Sequence, residues 1–413
     1  MIRSRGLRRV LWRRDRLGLL LVGLLACGND DSAPTKLTAA TAISVGTTTG
    51  CALQRSGRVL CWGGSLMPRD VSVARTVTDA LLATDVRGVA DAVGVSDGNG
   101  SACAVLAGGA LRCWSEAGPG ITTATAVSSG YKHACAVLQD GTVQCWGDNS
   151  SGQLGGRSPT DSTLPLTVPV PVAVAGLTGA TSVSAGDDTT CAKRADGSVW
   201  CWGVNTYGQL GDGTTTDSAV PVAVSGLTDA ADVCVGGYHS CAKLTNGTVQ
   251  CWGANYVGQL GNGTRTDDGS AVPVAVGGLG NVAAISCGYE HNCALLGDGS
   301  IQCWGADGGG FGANEGFGAL GNPSATLDCK WPTTAPSSVP GQTVSYETGC
   351  SPTATPVSGI TNAVAVSAGH FSSCAVLSDG SASCWGWNAT GQLGDGTTWD
   401  SSSPIPVMAL GHQ

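Results

Sequence analysis

Two cysteines ten positions apart, the second followed directly by tryptophan, occur seven times in this chain. The cysteine pairs are Cys51 and Cys61, Cys103 and Cys113, Cys135 and Cys145, Cys191 and Cys201, Cys241 and Cys251, Cys293 and Cys303, and Cys374 and Cys384. The tryptophans are Trp62, Trp114, Trp146, Trp202, Trp252, Trp304 and Trp385. A spacing this constant indicates seven copies of one structural unit.

The third copy, CAVLQDGTVQCWG at 135–147, predicts a β-hairpin in which the two cysteines face each other. Asp-Gly between two alternating apolar segments is a typical hairpin turn. If the three residues from Gln139 form the loop, counting outward places Cys135 opposite Cys145 at a non-hydrogen-bonded position. Opposing Cα atoms lie about 4.5 Å apart there, within the roughly 4.4–6.8 Å typical of disulfides. We therefore expect a cross-strand disulfide in every copy.

Two glycines recur in every copy. The third loop position is always glycine, as a left-handed residue requires, and another glycine lies five residues before each first cysteine, where we expect a tight turn. The upstream glycines are Gly46, Gly98, Gly130, Gly186, Gly236, Gly288 and Gly369. With an apolar strand before the hairpin and a Pro-Val strand after it, each copy amounts to about four strands, without a sustained helical period. Four strands repeated around a ring form a β-propeller.

Segments such as GQLGDGT after a CWG-x-N segment, with a G-x-x-H-x-C-A-L type stretch before it, resemble the repeats of the regulator of chromosome condensation family. The resemblance covers 37–410 and implies an all-β, seven-bladed β-propeller. Full GQLG copies lie at 152–155, 208–211, 258–261 and 391–394, a degenerate GALG lies at 318–321, and copies one and two lack the motif. The folded part begins on the first segment of a repeat and ends on the last, so we expect the chain ends to close the ring.

Two copies differ in length from the other repeats. Between Cys113 and Cys135 there is too little chain for a full fourth strand, so we expect a short second blade. An insertion at 306–356 follows the sixth hairpin and contains Cys329 and Cys350, which we expect to pair.

Aromatic residues are concentrated in this insertion, although the chain has only three phenylalanines and six tyrosines. Long loops on a rigid scaffold often bind partners, and aromatic side chains carry much of the energy of interfaces. We therefore predict partner contacts for Phe311, Phe317, Trp331 and Tyr346. The alternative is a loop whose aromatic residues fold back on blade six.

The chain has 19 cysteines, and seven cross-strand pairs at one spacing indicate an oxidising compartment. Two further cysteines, Cys234 and Cys287, precede neighbouring hairpins in equivalent strands. They either bridge two blades or are buried free thiols.

The N-terminus predicts export. Residues 1–26 combine seven arginines with the apolar stretch LGLLLVGLL, which is too short to span a bilayer and fits a signal peptide. The following Cys27 completes a segment that resembles a bacterial lipobox, which implies lipidation of Cys27, a polar tether at 27–36 and attachment to the membrane without spanning it. Gly28 resembles the pattern for sorting to the outer membrane. The alternative is an ordinary signal peptide cut near Ala26.

Charge argues against nucleic-acid partners. The formal net charge is −9, and removal of 1–26 takes away seven arginines and one aspartate, which leaves about −15. An acidic exterior repels phosphate backbones. We therefore do not expect the chromatin binding and nucleotide exchange known for the nuclear member of the family.

Candidate metal ligands have simpler explanations. His133, His239 and His291 share a position two residues before a first cysteine, but other copies have Thr189 or Ser372 there, which favours turn histidines over a metal ring. The loop aspartates lack the order of a calcium loop, which favours solvated turns; they are Asp212, Asp217, Asp268, Asp395 and Asp400. The tryptophans are expected to pack near the disulfides. We predict no catalytic residue, metal or cofactor.

These observations predict a non-catalytic scaffold that binds an unknown protein or cell-envelope ligand at the bacterial surface or in the periplasm, as an outer-membrane lipoprotein or at the cell surface. A secreted propeller of the family that inhibits β-lactamases shows that the resemblance implies capture of a partner without catalysis. Two alternatives stay open at this point. One is an enzyme with its site at the central channel, and the other is a structural component of a surface or coat.

Overall fold

The computed structural model describes residues 34–64, 81–99, 102–114, 119–156, 167–308, 317–323, 327–330 and 347–410. Within them seven antiparallel sheets form a closed ring, because the innermost strand of each sheet contacts the innermost strands of both neighbours, including the first and the last. The seven-bladed propeller is therefore confirmed. No helix in the described ranges is long and apolar enough to cross a membrane.

We label the strands of a blade A to D from the axis outward. Blade one comprises β2 (Ala40–Val45), β3 (Thr49–Gln54), β4 (Val59–Gly63) and β5 (Thr84–Asp85). Blade two comprises β6 (Ala92–Asp97), β7 (Ala102–Leu106) and β8 (Leu111–Trp114). Blade three comprises β9 (Ala124–Ser129), β10 (His133–Leu138), β11 (Val143–Asp148) and β12 (Thr167–Ala173). Blade four comprises β13 (Ala180–Ala185), β14 (Thr189–Arg194), β15 (Val199–Gly203) and β16 (Ser218–Ala223).

Blade five comprises β17 (Ala230–Val235), β18 (His239–Leu244), β19 (Val249–Asn255) and β20 (Thr266–Ala275). Blade six comprises β21 (Val282–Cys287), β22 (His291–Leu296), β23 (Ile301–Ala306), β24 (Leu327–Lys330) and β25 (Glu347–Pro356). Blade seven comprises β26 (Ala363–Ala368), β27 (Ser372–Leu377), β28 (Ala382–Gly386) and β29 (Ser401–Pro406). Outside the blades, β1 (Thr35–Lys36) pairs with β30 (Met408–Ala409).

The predicted hairpin register is confirmed. In blade three Cys135 faces Cys145 and Val137 faces Val143, and Gly141 closes the loop at a φ of 76°. The same register recurs in all seven blades.

A disulfide joins the two cysteines of every hairpin, as predicted. The bonded pairs are Cys51 with Cys61, Cys103 with Cys113, Cys135 with Cys145, Cys191 with Cys201, Cys241 with Cys251, Cys293 with Cys303, and Cys374 with Cys384. Their Cα–Cα distances are 4.0 to 4.1 Å. This separation is slightly shorter than the about 4.5 Å that we expected for a non-hydrogen-bonded pair.

The second cysteine of every pair except Cys113 belongs to the buried core, and Cys113 packs against it partly buried, which gives these residues a structural role. Cys61, Cys201 and Cys303 are at most 1% exposed, and Cys384 is fully buried. Each is a member of a cluster of buried apolar side chains that includes the tryptophan of the next blade around the ring.

Each tryptophan therefore packs against the disulfide of the preceding blade rather than its own. Trp202 lies in one cluster with Cys135 and Cys145, and its Nε1 donates to the carbonyl oxygen of Gln153 in the preceding GQLG loop, at 2.8 Å. Trp62, Trp252, Trp304 and Trp385 make the same bond to Gln392, Gln209, Gln259 and Ala319. The GQLG loop thus joins consecutive blades, and the degenerate GALG copy does so through Ala319.

A second repeated contact joins the blades beside the channel. In blade four the Ser184 Oγ accepts a hydrogen bond from the backbone N of Val235 in the next blade, at 3.0 Å. Ser44, Ser96, Ser128, Ser286 and Ser367 act in the same way at five other junctions. The upstream glycines follow these strands, and a Cβ on Gly186 would clash with the carbonyl oxygen of Gly236. These positions require glycine because neighbouring blades approach closely, in addition to the turn that the sequence predicts.

The junction between blades five and six carries a disulfide in place of the serine contact. The serine position of blade five is Cys234, which is bonded to Cys287 of blade six with a Cα–Cα distance of 5.5 Å. The seven junctions therefore comprise six serine hydrogen bonds and one disulfide. Of the two alternatives for these cysteines, the bridge between blades is the one that the structure shows.

The chain ends close the ring as expected. Besides the pairing of β1 with β30, the Leu37 backbone N donates to the carbonyl oxygen of Val407, at 2.9 Å. Thr35 and Lys36, which we expected in the tether, form β1. The signal peptide and Cys27 lie outside the described residues.

Blades two and six depart from four strands. Blade two has three strands among its described residues, which agrees with the short blade that we predicted. In blade six, β25 from the predicted insertion is the fourth strand, and β24 pairs with its outer edge. Cys350 on β25 is disulfide-bonded. The side chain of Cys329 on β24 lies outside the description, so its pairing with Cys350 stays a prediction.

Candidate functional site: an aromatic face at the channel mouth

One end of the propeller gathers most of the aromatic side chains that the repeat does not require. In an antiparallel blade, the A–B turn and the C–D loop lie at one end and the B–C hairpin loop at the other. The A–B turns contribute Tyr131, Tyr238, Tyr289, His370 and Phe371, and the C–D loops contribute Tyr207, Tyr256, Phe317 and Trp387. We call these nine residues the aromatic face. It contains five of the six tyrosines of the chain.

Tyrosines of blades four, five and six contact one another in a row. The ring centroids of Tyr207 and Tyr238 are 5.6 Å apart, and those of Tyr207 and Tyr256 are 6.1 Å apart. Tyr238 lies 5.5 Å from Tyr289, whose hydroxyl donates to the Tyr238 hydroxyl at 3.0 Å. All these pairs meet edge to face, the geometry that the ring quadrupole favours.

The row continues to blade seven and across the channel. Tyr289 contacts His370 at 4.1 Å between ring centroids, and the His370 ring stacks on Phe371 at 4.3 Å. Tyr131 of blade three meets His370 at 6.0 Å. Aromatic rings from opposite sides of the propeller therefore meet over the channel mouth.

Carboxyl groups lie among the tyrosines. The hydroxyl of Tyr256 donates to Glu290 Oε1 at 2.7 Å, and burial raises the pKa of Glu290. Burial also raises the pKa of Asp187 to about 7, with smaller contributions from the negative charges of Asp188 and Glu290 and an opposing effect of Lys132. The mouth is thus an acidic, partly desolvated site.

A depression of about 190 Å³ opens at the axis. It is lined by the upstream glycines of all seven blades and by Asp97, Tyr131, Asp187, Tyr289 and His370. Burial raises the pKa of Asp97 to about 7 and lowers that of His370 to about 4, so the histidine is neutral at pH 7.

The structure brings one of the four predicted partner-binding residues into this face. Phe317 packs at 6.1 Å from Phe371 and 6.2 Å from Trp387, between ring centroids. It therefore contacts blade seven and does not fold back on blade six alone. Phe311, Trp331 and Tyr346 lie outside the described residues, and their predicted role stays a prediction.

The three histidines are not turn residues, which corrects our interpretation. His133, His239 and His291 begin their B strands and are buried. The Nε2 of His239 bonds to Asn292 Oδ1 of the next blade at 2.7 Å, and the other two make equivalent bonds to Thr190 and Ser373. Burial lowers the pKa of all three to between about 3 and 4. They connect blades as neutral groups.

Four of the five loop aspartates accept hydrogen bonds that organise the C–D loops of blades four and seven. Asp217 Oδ1 accepts from the Asn205 backbone N at 2.7 Å, and Asp212 Oδ1 accepts from the Asn205 side chain at 3.3 Å. In blade seven Asp400 Oδ1 likewise accepts from the Asn388 backbone N, and Asp395 Oδ1 accepts from the Asn388 side chain. These hydrogen bonds give the carboxylates a structural role in the loops.

His239, Cys241 and Cys287 place possible metal-ligating atoms within 4.8 Å of one another. Both cysteines are in disulfides, Cys241 with Cys251 and Cys287 with Cys234. A disulfide sulfur is not the thiolate that a metal binds, so this cluster does not have the donor set of a zinc site.

Our sequence reasoning concentrated on the insertion and missed most of the aromatic face. The signal was nevertheless present, because Tyr131 and Tyr289 directly follow upstream glycines and Tyr207 precedes a GQLG segment. Both kinds of connection lie at the same end of a blade. Combining the positions of the tyrosines with the topology therefore predicts their convergence.

Two sequence models of the regulator of chromosome condensation (RCC1) repeat match the chain. One matches 140–192, 196–242, 246–295 and 379–413, and the other matches 124–153, 180–209, 230–259, 282–312 and 363–392. Together they cover more than half of the 413 residues. The chain belongs to the RCC1 repeat family.

Solved structures share the fold of this chain. Prp20p from Saccharomyces cerevisiae, whose binding to Gsp1p and histones has been described, is 17% identical with a TM-score of 0.55, over 88% of this chain and 76% of that chain. Human WBSCR16 is 17% identical with a TM-score of 0.57, over 90% of this chain and 82% of that chain. At this identity the likeness shows the fold alone.

Proposed function

We propose that the protein is a non-catalytic binding scaffold that recognises a protein or cell-envelope ligand through the aromatic face. The observation that carries the proposal is the concentration of aromatic side chains from blades three to seven at one end of the propeller. Tyrosine, tryptophan and phenylalanine dominate the energetics of protein interfaces. A propeller suits this role because a rigid ring presents loops from many blades on one surface.

The aromatic face is also preorganised. Tyr238 and Tyr289 contact each other, and both pack within a continuous row of rings, so binding would immobilise few additional side chains. The fold itself does not require these residues. The position that holds Tyr131 in blade three is Thr47 in blade one and Asn99 in blade two.

The second part of the proposal is location. We infer that the protein is exported and attached to the bacterial cell envelope by a lipid on Cys27, on the strength of the N-terminal sequence at 1–27. Disulfides in all seven blades support an oxidising compartment. The variant Cys27→Ala should move from the membrane fraction to the soluble fraction. Equal fractionation of the two proteins would refute the lipid anchor.

One observation favours an active site at the channel as a second candidate. Asp97 and Asp187 both line the depression with a pKa of about 7, which suits general acid–base catalysis. Neither carboxyl group contributes to the shift of the other, so they do not form a coupled pair. Binding also accounts for the tyrosines around them, and we therefore prefer it.

Capture of a ligand by variants of the full chain tests the proposal. A variant with Tyr207→Ser, Tyr238→Ser and Phe371→Ser should lose the partners that the unaltered protein recovers from envelope extracts after crosslinking. The comparison variant replaces 331–346 with Asn-Gly, because Lys330 and Glu347 are paired across β24 and β25 and a two-residue turn spans them. Loss of partners in the comparison variant alone would place recognition in the insertion and overturn the proposal.

A further inference from the structure

We propose that the depression at the channel mouth receives a positively charged side chain, specifically the guanidinium group of an arginine that a protein partner presents. This inference rests on the proposed function and names the chemistry that the aromatic face recognises. Its support is the charge, the ring arrangement and the size of the depression.

Acidic groups outnumber basic ones around the depression. Asp97 and Asp187 line it, and Asp188 and Glu290 lie close enough for their charges to act on Asp187. Among the described residues, Lys132 is the basic group that acts on Asp187, and His370 is neutral at pH 7. A cation is the ligand that this imbalance favours.

An acceptor at the depression lacks a donor. Asp97 is 6% exposed, and its Oδ2 has no hydrogen-bond partner among the described residues. The Oδ2 atom is covered by its neighbours, so a ligand donor reaches it only when they move; such a donor removes the free-energy cost of an acceptor without a partner. Guanidinium groups carry five N–H donors and pair with carboxylates.

The rings provide the second half of a cation site. Tyr131 and Tyr289 line the depression beside Asp187, and ring faces attract cations at distances within about 6 Å. The chain itself shows such a contact at this end, because the Lys132 Nζ lies 5.5 Å from the Tyr131 ring centroid. Arginine fits better than lysine, since its planar group stacks on rings while it bonds to carboxylates.

The size of the depression limits the occupant. Its volume of about 190 Å³ is below the range of about 300–1,000 Å³ that is typical of pockets for drug-sized ligands. One long side chain is an occupant of suitable size. The rest of the partner would then lie on the surrounding aromatic face.

Titration of the folded, full-length protein with three capped amino acids tests the proposal. The probes are acetyl-arginine N-methylamide, its lysine counterpart and its citrulline counterpart, which is uncharged but nearly the same shape as arginine. We expect saturable chemical-shift changes in the tyrosine ring signals with arginine, weaker binding of lysine, and at least tenfold weaker binding of citrulline. The affinity for arginine should rise between pH 6 and pH 8 as Asp97 and Asp187 lose protons.

Matched variants assign the effect to the depression. Asp187→Asn and Tyr289→Leu should each weaken arginine binding severalfold. Asp196→Asn should leave it unchanged, because Asp196 is an exposed acid of the same blade in the hairpin loop at the opposite end. Equal binding of arginine and citrulline, or no saturable binding of arginine, would overturn the proposal. Either result would leave the proposed function intact if the aromatic-face variant still loses its partners.

Discussion

The contacts between blades and the aromatic face follow opposite rules. Between blades, the same chemical groups recur around the ring: a serine Oγ, a glycine and a tryptophan Nε1 each contact the neighbouring blade. On the aromatic face, equivalent positions differ from blade to blade, as Thr47, Tyr131 and Asp187 show. Uniform positions therefore hold the ring together, and the variable positions are free to determine what the protein binds.

Removal of the disulfide at the junction between blades five and six should have the largest effect. In Cys234→Ala/Cys287→Ala the free energy of unfolding should fall by about 4 kcal/mol, from the loop that the disulfide closes. Replacing Cys234 with serine instead should restore about 1 kcal/mol, because Ser184 and its equivalents bond to the next blade at the other junctions. Chemical denaturation measures both. Identical stability of Cys234→Ala/Cys287→Ala and Cys234→Ser/Cys287→Ala would show that a serine at position 234 does not form the contact between blades.

The ring of glycines should be nearly as sensitive. In Gly186→Ala the new Cβ would clash with backbone of the next blade, and we expect a loss of roughly 3 kcal/mol in the free energy of unfolding. The control is Gly108→Ala in a hairpin loop, where a Cβ has no atom within 4 Å, and its effect should stay below about 0.5 kcal/mol. Equal midpoints in a denaturant series would contradict the close-approach explanation.

Loss of one inter-blade hydrogen bond should have a smaller effect. Trp202→Phe keeps most of the packing but removes the bond to Gln153, so we expect a loss of about 1 kcal/mol. Trp146→Phe is the matched control, since its blade follows a repeat without GQLG. Thermal unfolding of both variants checks the difference, and a larger loss in Trp146→Phe would argue against the role of the GQLG loop.

Asp187 at the channel mouth should affect stability in a pH-dependent way. The folded protein holds a proton on Asp187 up to a pKa of about 7, whereas an unfolded aspartate releases it near a pH of about 3.9. Folding therefore binds a proton between these values, and this group lowers stability as pH rises from about 4 to 7. In Asp187→Asn the fall in melting temperature over that interval should be shallower than in the unaltered protein. An unchanged slope would mean that the carboxyl group is not desolvated.

The sequence predicted the hairpin register and the closure of the ring as well as the fold class, because the repeat specifies local geometry. The spacing of Cys135 and Cys145 determined the hairpin register, and the phase of the chain ends determined closure. The contact of Ser184 with Val235 was not predictable, because it depends on how closely two sheets approach around the ring. The sequence pattern of one repeat gives no information about the distance between neighbouring sheets.

The candidate site was only partly predictable. We predicted partner contacts in the insertion because its aromatic residues are close together in the sequence. Of these residues, Phe317 belongs to the aromatic face. Tyr131 and His370 are far apart in the sequence and meet across the channel. Only the closed ring brings these two side chains together. The burial that raises the pKa of Asp187 also depends on tertiary packing, which the sequence pattern does not show.

Crosslinking in living cells from single positions at the two ends of the propeller shows which end contacts a partner. Benzoylphenylalanine would replace Tyr207 on the aromatic face in one variant and Gln139, exposed in the hairpin loop of blade three, in another. We expect a covalent adduct with a partner from position 207 and none from position 139. Adducts from position 139 alone, or in equal yield from both positions, would contradict recognition by the aromatic face.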